Sequence, residues 1–252
     1  MINVILSGCN GKMGRAITRL AAEDENFNIV AGIDINDYIP NIYPVYKTPE
    51  ECKEKADVLI DFSHPSVLDG ILEYCKNTNT PAVICTTGLS VEQKKAMEDA
   101  SEQVAIFFSA NMSLGINLLI SLAKTAAKIL EGGYDIELVE RHHNQKIDAP
   151  SGTALAIADA ISEVLKENSE YTYDRHNVRR KRRKNEIGIH AIRGGTIVGE
   201  HEVIFAGTDE VIEIKHSAAS KEVFATGAVK AAKFLAGKPA GMYSMDELVR
   251  NM

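Results

Sequence analysis

The chain has 252 residues, 45% of them hydrophobic and 25% charged, so it can bury a full core and reads as a globular protein of one large or two modest domains. Its net charge of −7 argues against a general affinity for nucleic acid, and no uncharged apolar stretch approaches the length of a membrane span. Met1-Ile2-Asn3 brings no basic leader, and Cys9, Cys52, Cys75 and Cys85 lack the paired spacing of a zinc site, so the expectation is a cytoplasmic protein with reduced core thiols and no metal.

Asn3-Val4-Ile5-Leu6-Ser7 predicts a strand, Gly8-Cys9-Asn10-Gly11-Lys12-Met13-Gly14 a glycine-rich turn, and Ala16-Ile17-Thr18-Arg19-Leu20-Ala21 a helix. A second apolar run, Ile29-Val30-Ala31-Gly32-Ile33, ends at Asp34, about twenty residues past Gly14, where a dinucleotide fold puts the acid that holds the adenosine ribose. The second glycine of the usual motif is replaced by Asn10, a residue that tolerates left-handed backbone, so the turn can still form. Asp34 would repel a 2′-phosphate, and the next residue is the neutral Ile35. NADH is therefore expected to serve at least as well as NADPH, unless Lys12 or Arg15 reaches that phosphate.

Strands are predicted at Val58-Leu59-Ile60-Asp61-Phe62, Ala82-Val83-Ile84-Cys85 and Val104-Ala105-Ile106-Phe107-Phe108, with helices after Pro65 and from Ser90. This alternation implies a parallel sheet wound with helices, whose carboxyl ends line a ligand crevice. Those ends are Ser63-His64-Pro65, Thr86-Thr87-Gly88 and Ser109-Ala110-Asn111.

The pattern then changes. Residues 114–130 read as a long helix, Asp135-Ile136-Glu137-Leu138-Val139-Glu140 as a half-exposed strand, and residues 187–192, 199–205 and 211–216 as three more strands. The fold class is therefore α/β. An N-terminal doubly wound parallel-sheet dinucleotide-binding domain (residues 1–112, completed by a helix in 221–252) is followed by a C-terminal α+β domain with an open mixed sheet (residues 113–220) for substrate binding and oligomerisation. The uncovered sheet face should pair with another subunit, and hinges near Ser113 and Ser220 would let a cleft close and shut out water.

The chemistry is expected in His142-His143-Asn144-Gln145-Lys146-Ile147-Asp148-Ala149-Pro150-Ser151-Gly152-Thr153-Ala154. His142, His143 and Lys146 offer positive charge and transferable protons. Ser151 is a natural N-cap, and with Ala154 in the capping-box position the first-turn N–H groups of the following helix have no carboxylate of that kind. Ser151, Gly152 and Thr153 would then seat a carboxylate or phosphate oxygen. The basic run Arg179-Arg180-Lys181-Arg182-Arg183-Lys184 reads as a solvated loop, with attraction of an anionic substrate or a neighbouring subunit as the next alternative. Arg193-Gly194-Gly195 and Gly199-Glu200-His201 look like turn ends at a cleft rim, with no role beyond substrate contact. His64, His176, His190 and His216 read as surface or satisfied residues.

The turn at residues 8–14, the runs Cys85-Thr86-Thr87-Gly88 and Ser109-Ala110-Asn111-Met112-Ser113, and above all residues 140–154 resemble the dihydrodipicolinate (4-hydroxy-tetrahydrodipicolinate) reductase family, along the whole chain. The resemblance implies an NADH- or NADPH-dependent reductase of the diaminopimelate route to lysine, acting on a cyclic imine with two carboxylates. It also implies a homotetramer joined through its C-terminal sheets. By similarity His142 is the proton donor or acceptor, Lys146 the proton donor, and His143, Gly152 and Thr153 hold substrate. Cofactor contacts would fall on Gly8, Cys9, Asn10, Gly11, Lys12, Met13, Asp34, Cys85, Thr86, Thr87, Ser109, Ala110, Asn111 and Met112. The chain departs from many members at Cys85 (Gly there), Met112 (Phe) and Ile35 (Arg), and the last leaves the cofactor preference open. Two rival readings remain: a lyase using Lys146 as a Schiff-base nucleophile, and a dinucleotide-sensing regulator touching DNA through residues 179–184.

Overall fold

The computed structural model describes residues 1–252, which divide into two compact units: Met1–Leu114 with Glu222–Met252, and Gly115–Lys221.

The first unit contains strands β1 (Ile2–Ser7), β2 (Phe27–Ile33), β3 (Val45–Tyr46), β4 (Val58–Asp61), β5 (Ala82–Ile84) and β6 (Ala105–Phe108), with helices α1 (Lys12–Ala22), α2 (Leu68–Thr78) and α3 (Val91–Ser101) between them. The second unit takes up helix α4 (Leu114–Leu130), strand β7 (Asp135–His142), helix α5 (Gly152–Ser162) and strands β8 (Glu170–Thr172), β9 (Glu186–Arg193), β10 (Gly199–Ala206) and β11 (Val211–Ala218). The chain closes with α6 (Glu222–Leu235), β12 (Gly241–Tyr243) and α7 (Met245–Arg250) in the first unit.

All pairings in the seven-stranded sheet, ordered β12-β6-β5-β4-β1-β2-β3, are parallel. A parallel sheet needs cover on both faces, and the strands supply it by alternation. Val4, Leu6, Val58, Ile60 and Phe107 pack with α1, α6 and α7 on one face, while Ile5, Leu59, Ile84 and Ile106 pack with α2 and α3 on the other. Ser90 closes a capping box with Gln93, which starts α3 where the sequence predicts a helix.

The second sheet, ordered β11-β10-β7-β9-β8, is mixed: β10 pairs antiparallel with β7 and β11, and β7-β9-β8 run parallel. Helices α4 and α5 cover one face only, burying Ile136, Leu138, Ile187, Ile189, Val203 and Phe205. Both sheets match the expected fold class. Three short edge strands, β3, β8 and β12, have no counterpart among the predicted elements because runs of two or three residues carry no periodicity.

The basic run 179–184 is not simply a solvated loop. Arg182 donates to Asp135 (2.9 Å), Glu137 (3.1 Å) and the Ile136 carbonyl (2.9 Å), Arg183 pairs with Glu170 (2.8 Å), and Arg180 pairs with buried Glu186. Sequence alone could not align these arginines with carboxylates on β7, β8 and β9, because the partners lie up to 47 positions away.

Phe107 is fully buried and meets Phe234 edge-on, ring centroids 6.3 Å apart. Phe107→Ala should lower unfolding free energy by about 3–5 kcal/mol, read as a fall in the denaturant midpoint with unchanged slope.

Candidate active site

The first cluster of expected residues lies along the carboxyl edge of the parallel sheet, where β1, β2, β4, β5 and β6 all end. After β1 the chain turns at Gly8, whose φ of +73° and a Cβ position 2.6 Å from the Phe62 carbonyl oxygen exclude any larger residue. Gly14 is equally constrained, since a Cβ there would lie 2.3 Å from the Gly8 oxygen. The left-handed residue is therefore Gly8 rather than Asn10. Asn10 instead ties the turn to the end of β2: its N–H donates to Asp34 Oδ2 (2.9 Å), its Nδ2 to the Asn36 carbonyl, and its Oδ1 accepts from Asn41 (3.0 Å).

Helix α1 begins at Lys12 with no side-chain cap and no acidic residue in its first turn, leaving its positive end for an anion. Arg15 donates to the Asn10 carbonyl at 3.0 Å. Asp34 is half-buried, whereas Ile35 is 78% exposed and offers no charge to a phosphate. These features fit a nicotinamide dinucleotide. Of the other expected contacts, Thr86 spends its hydroxyl on buried Asp61 (2.6 Å), and Asn111 Oδ1 accepts from the Ser113 N–H (2.8 Å). Cys9, Cys85 and Met112 point into the core, so only their backbone is available to a ligand. Burial pushes the Cys9 thiol up to about 12, with Asp34 adding to it, and raises Cys85 well above its ordinary value, so neither is a reactive thiolate.

The second cluster sits at one edge of the mixed sheet, where β7 and β9 end and β10 begins. On β7 the buried face reads Ile136, Leu138, Glu140, His142, apolar residues giving way to polar ones at the same two-residue period. Glu140 is 0% exposed. It accepts from His142 Nδ1 (2.6 Å), from both Arg193 Nη atoms (2.8 and 2.7 Å) and from the Ser151 N–H (3.0 Å). Burial alone would raise its carboxyl, but the hydrogen bonds from Arg193, His142 and Ser151 outweigh that and hold it below the ordinary range. Arg193 also donates to the Asp148 carbonyl at 2.6 Å, tying down the loop that carries Lys146.

Ser151 caps α5 as its side chain accepts from the Ala154 N–H (3.1 Å), and it lies 3.2 Å from His201 Nε2. His201 stacks edge-on against His142 with centroids 5.2 Å apart. Burial first, and the neighbouring His142 second, push His201 down to about 4.

The helix end is not as empty as the sequence suggested. Glu140 takes the Ser151 N–H, and the Asp148 carboxylate, four positions before Gly152, pairs with Lys146 Nζ at 2.9 Å. The hydrogen bond from Lys146 holds Asp148 below its ordinary range. His143 is half-buried, and its carbonyl accepts the Lys146 N–H (3.1 Å). His142, His143, Lys146, Ser151, Gly152 and Thr153 thus lie on one short segment, 142–153, anchored to the sheet edge through Glu140 and Arg193.

Glu140 and Asp148 are site residues to which the sequence assigns no role, and Arg193 and His201, expected at a cleft rim with no role beyond substrate contact, join the same cluster. For Glu140 the signal was present, since it lies two positions before His142 on the same strand face. For the approach of Arg193 and His201 to Glu140 and His142 it was not, because that depends on β9 and β10 pairing with β7.

A glycine-turn parallel sheet and an acid–base cluster on a separate mixed sheet define a two-domain, nicotinamide-dependent oxidoreductase. The family models for the N- and C-termini of dihydrodipicolinate reductase match residues 2–112 and 115–249, and the chain belongs to that family. It is 58% identical over 250 residues to a 4-hydroxy-tetrahydrodipicolinate reductase of Caldanaerobacter subterraneus, covering 99% of both chains. The 4-hydroxy-tetrahydrodipicolinate reductase of Clostridium novyi is 51% identical, covering 100% of this chain and 99% of that one. Among solved structures, a dipicolinate-bound dihydrodipicolinate reductase from Paenisporosarcina superposes with a TM-score of 0.81 at 26% identity, covering 97% of each chain. C. glutamicum DAP dehydrogenase shares the fold alone, at a TM-score of 0.60 and 13% identity, covering 98% of this chain and 95% of that one.

Gly14→Ala must displace the turn, and should weaken NADH binding at least about tenfold in a fluorescence titration while leaving the far-UV spectrum unchanged. The histidine predicts a pH effect. Unfolded, His201 takes up its proton near its ordinary 6.5, but folded only near 4, so unfolding binds a proton between those values. Its contribution is therefore present above pH 6.5 and is lost as pH falls toward 4, by roughly 3 kcal/mol in all. His216, also lowered by burial, adds to the loss with the same sign. Denaturant titrations should show this slope, and His201→Asn should remove most of it.

Proposed function

We propose that this chain reduces 4-hydroxy-tetrahydrodipicolinate to tetrahydrodipicolinate in diaminopimelate and lysine biosynthesis. The observation that carries the reading is the Glu140-anchored segment bearing His142, Lys146 and the Ser151 helix start, in a chain alike over nearly its full length to reductases of that name. The overall change takes in one hydride and one proton and releases one water. Held along the edge residues Gly8 to Met13, Asp34, Cys85 to Thr87 and Ser109 to Met112, a reduced nicotinamide cofactor supplies the hydride.

The chain's own residues do the rest. His143, Gly152 and Thr153 hold substrate carboxylate, with Ser151 setting the helix end. Lys146 leaves Asp148 to meet the incoming dicarboxylate, a like-for-like exchange of one carboxylate partner for another. As negative charge develops along the C–C–N system of the ring, Lys146 or His142 relieves it by giving a proton.

NADH serves at least as well as NADPH. Asp34 suits ribose hydroxyls and disfavours a 2′-phosphate, and neutral Ile35 does nothing to offset it. The working form is a homotetramer joined through the open faces of the second sheet, where Ile192 is 45% and Val211 58% exposed. Its NAD(P)H-linked chemistry fits the cytoplasm.

Rates of NADH and NADPH oxidation with freshly generated cyclic imine, measured side by side, test the reading. Lys146→Ala and His142→Ala should each lower kcat by roughly 10²- to 10⁴-fold with cofactor affinity retained. Wild-type turnover in both variants would remove these residues from the mechanism, and a borohydride-trapped adduct on Lys146 would favour a lyase instead.

A further inference from the structure

We propose that Glu140 is the positioning residue of the proton-transfer step, holding His142 as the Nδ1–H tautomer so that Nε2 is the atom that exchanges a proton with substrate. This rests on the reading of His142 as an acid–base group above, and the tests below separate the two.

Three observations carry the assignment. First, Glu140 and His142 are i and i+2 on β7, so both side chains leave the same face and meet at 2.6 Å without any loop having to order itself. Secondly, the carboxylate cannot turn. Oε2 receives His142 Nδ1 and Arg193 Nη1, and Oε1 receives Arg193 Nη2 and the Ser151 N–H, so rotation would break four charge-assisted bonds. Glu140 thus stays an acceptor, and the Nδ1 position facing it must carry hydrogen.

Thirdly, the far side of the ring is kept clear by a glycine. A Cβ at Gly199 would stand 3.1 Å from His142 Nε2, against the one nitrogen left for chemistry. Arg193 balances the Glu140 charge and, by donating to the Asp148 carbonyl, also fixes the Lys146 loop to the same carboxylate. One carboxylate therefore sets the tautomer of His142 and the position of the second basic group.

The proton balance is simple. Protonated His142 carries hydrogen on both nitrogens. It gives the Nε2 proton to the substrate and becomes neutral, with the Nδ1 hydrogen still donated to Glu140, and it recovers the Nε2 proton from water before the next turnover. Glu140 never takes the proton itself.

Glu140→Gln keeps the shape but offers an N–H₂ to partners that are donors, so the ring is no longer held in one tautomer. We expect kcat per NADH-binding site, counted by titration, to fall about 100-fold or more, with the KM for NADH within about threefold of wild type; loss of fold would instead lower the count of binding sites. In ¹⁵N-histidine NMR of the whole enzyme, neutral His142 should be Nδ1-protonated in the wild type and partly Nε2-protonated in the variant. The double variant Glu140→Gln/Arg193→Gln, which strands no buried cation, should fold if the single one does not, and should show the same tautomer change. A wild-type spectrum with His142 in the Nε2–H form overturns the proposal, as does a folded Glu140→Gln protein within about twofold of wild-type kcat. If instead His142→Asn retains turnover while the wild-type tautomer is as described, the catalytic reading of His142 fails and the positioning of its ring stands.

Discussion

A carboxylate with no exposed surface is the constraint on which the rest of the second unit depends. Glu140 lies in the same row as Ile136 and Leu138, in a position that elsewhere would be apolar, and a charge there is tolerable only if every lone pair is met. It is met by a side chain from β7 itself, by one from β9, and by the backbone amide that opens α5. Removing one partner from such a pair typically costs about 3–5 kcal/mol, so His142, the Lys146 loop and the helix start are coupled energetically as well as spatially.

The same rule governs the helix start. Its Ser151 amide is met by a carboxylate of the chain, Glu140, and Lys146 leans on the nearby Asp148. Only Glu140 is locked. Asp148 is half-exposed, and its side chain can be exchanged for an external carboxylate at little electrostatic loss.

The first unit works by steric exclusion rather than by charge. Gly8 and Gly14 are fixed by contacts of 2.6 and 2.3 Å that a side chain would have to make with backbone, and that tight turn brings the α1 amino end and Asp34 to the sheet edge. The arginines of residues 179–184 illustrate a third use of charge. Several pair with carboxylates at the starts of β7, β8 and β9, stitching one end of the strands that Glu140 and Arg193 join at the other.

Much of this was legible in the amino-acid order, because periodicity and turn chemistry are local. Alternating strands and helices, the glycine turn with Asp34, the cap at Ser151 and the cluster of His142, His143 and Lys146 follow from residues within a few turns of one another. Short edge strands, the use made of the basic run, the occupied helix end and the partnership of Glu140 with Arg193 were decided only by tertiary structure. Each depends on which strands become neighbours, and strand pairing joins residues some fifty positions apart, as with Glu140 and Arg193, whose meeting no local pattern of side chains encodes.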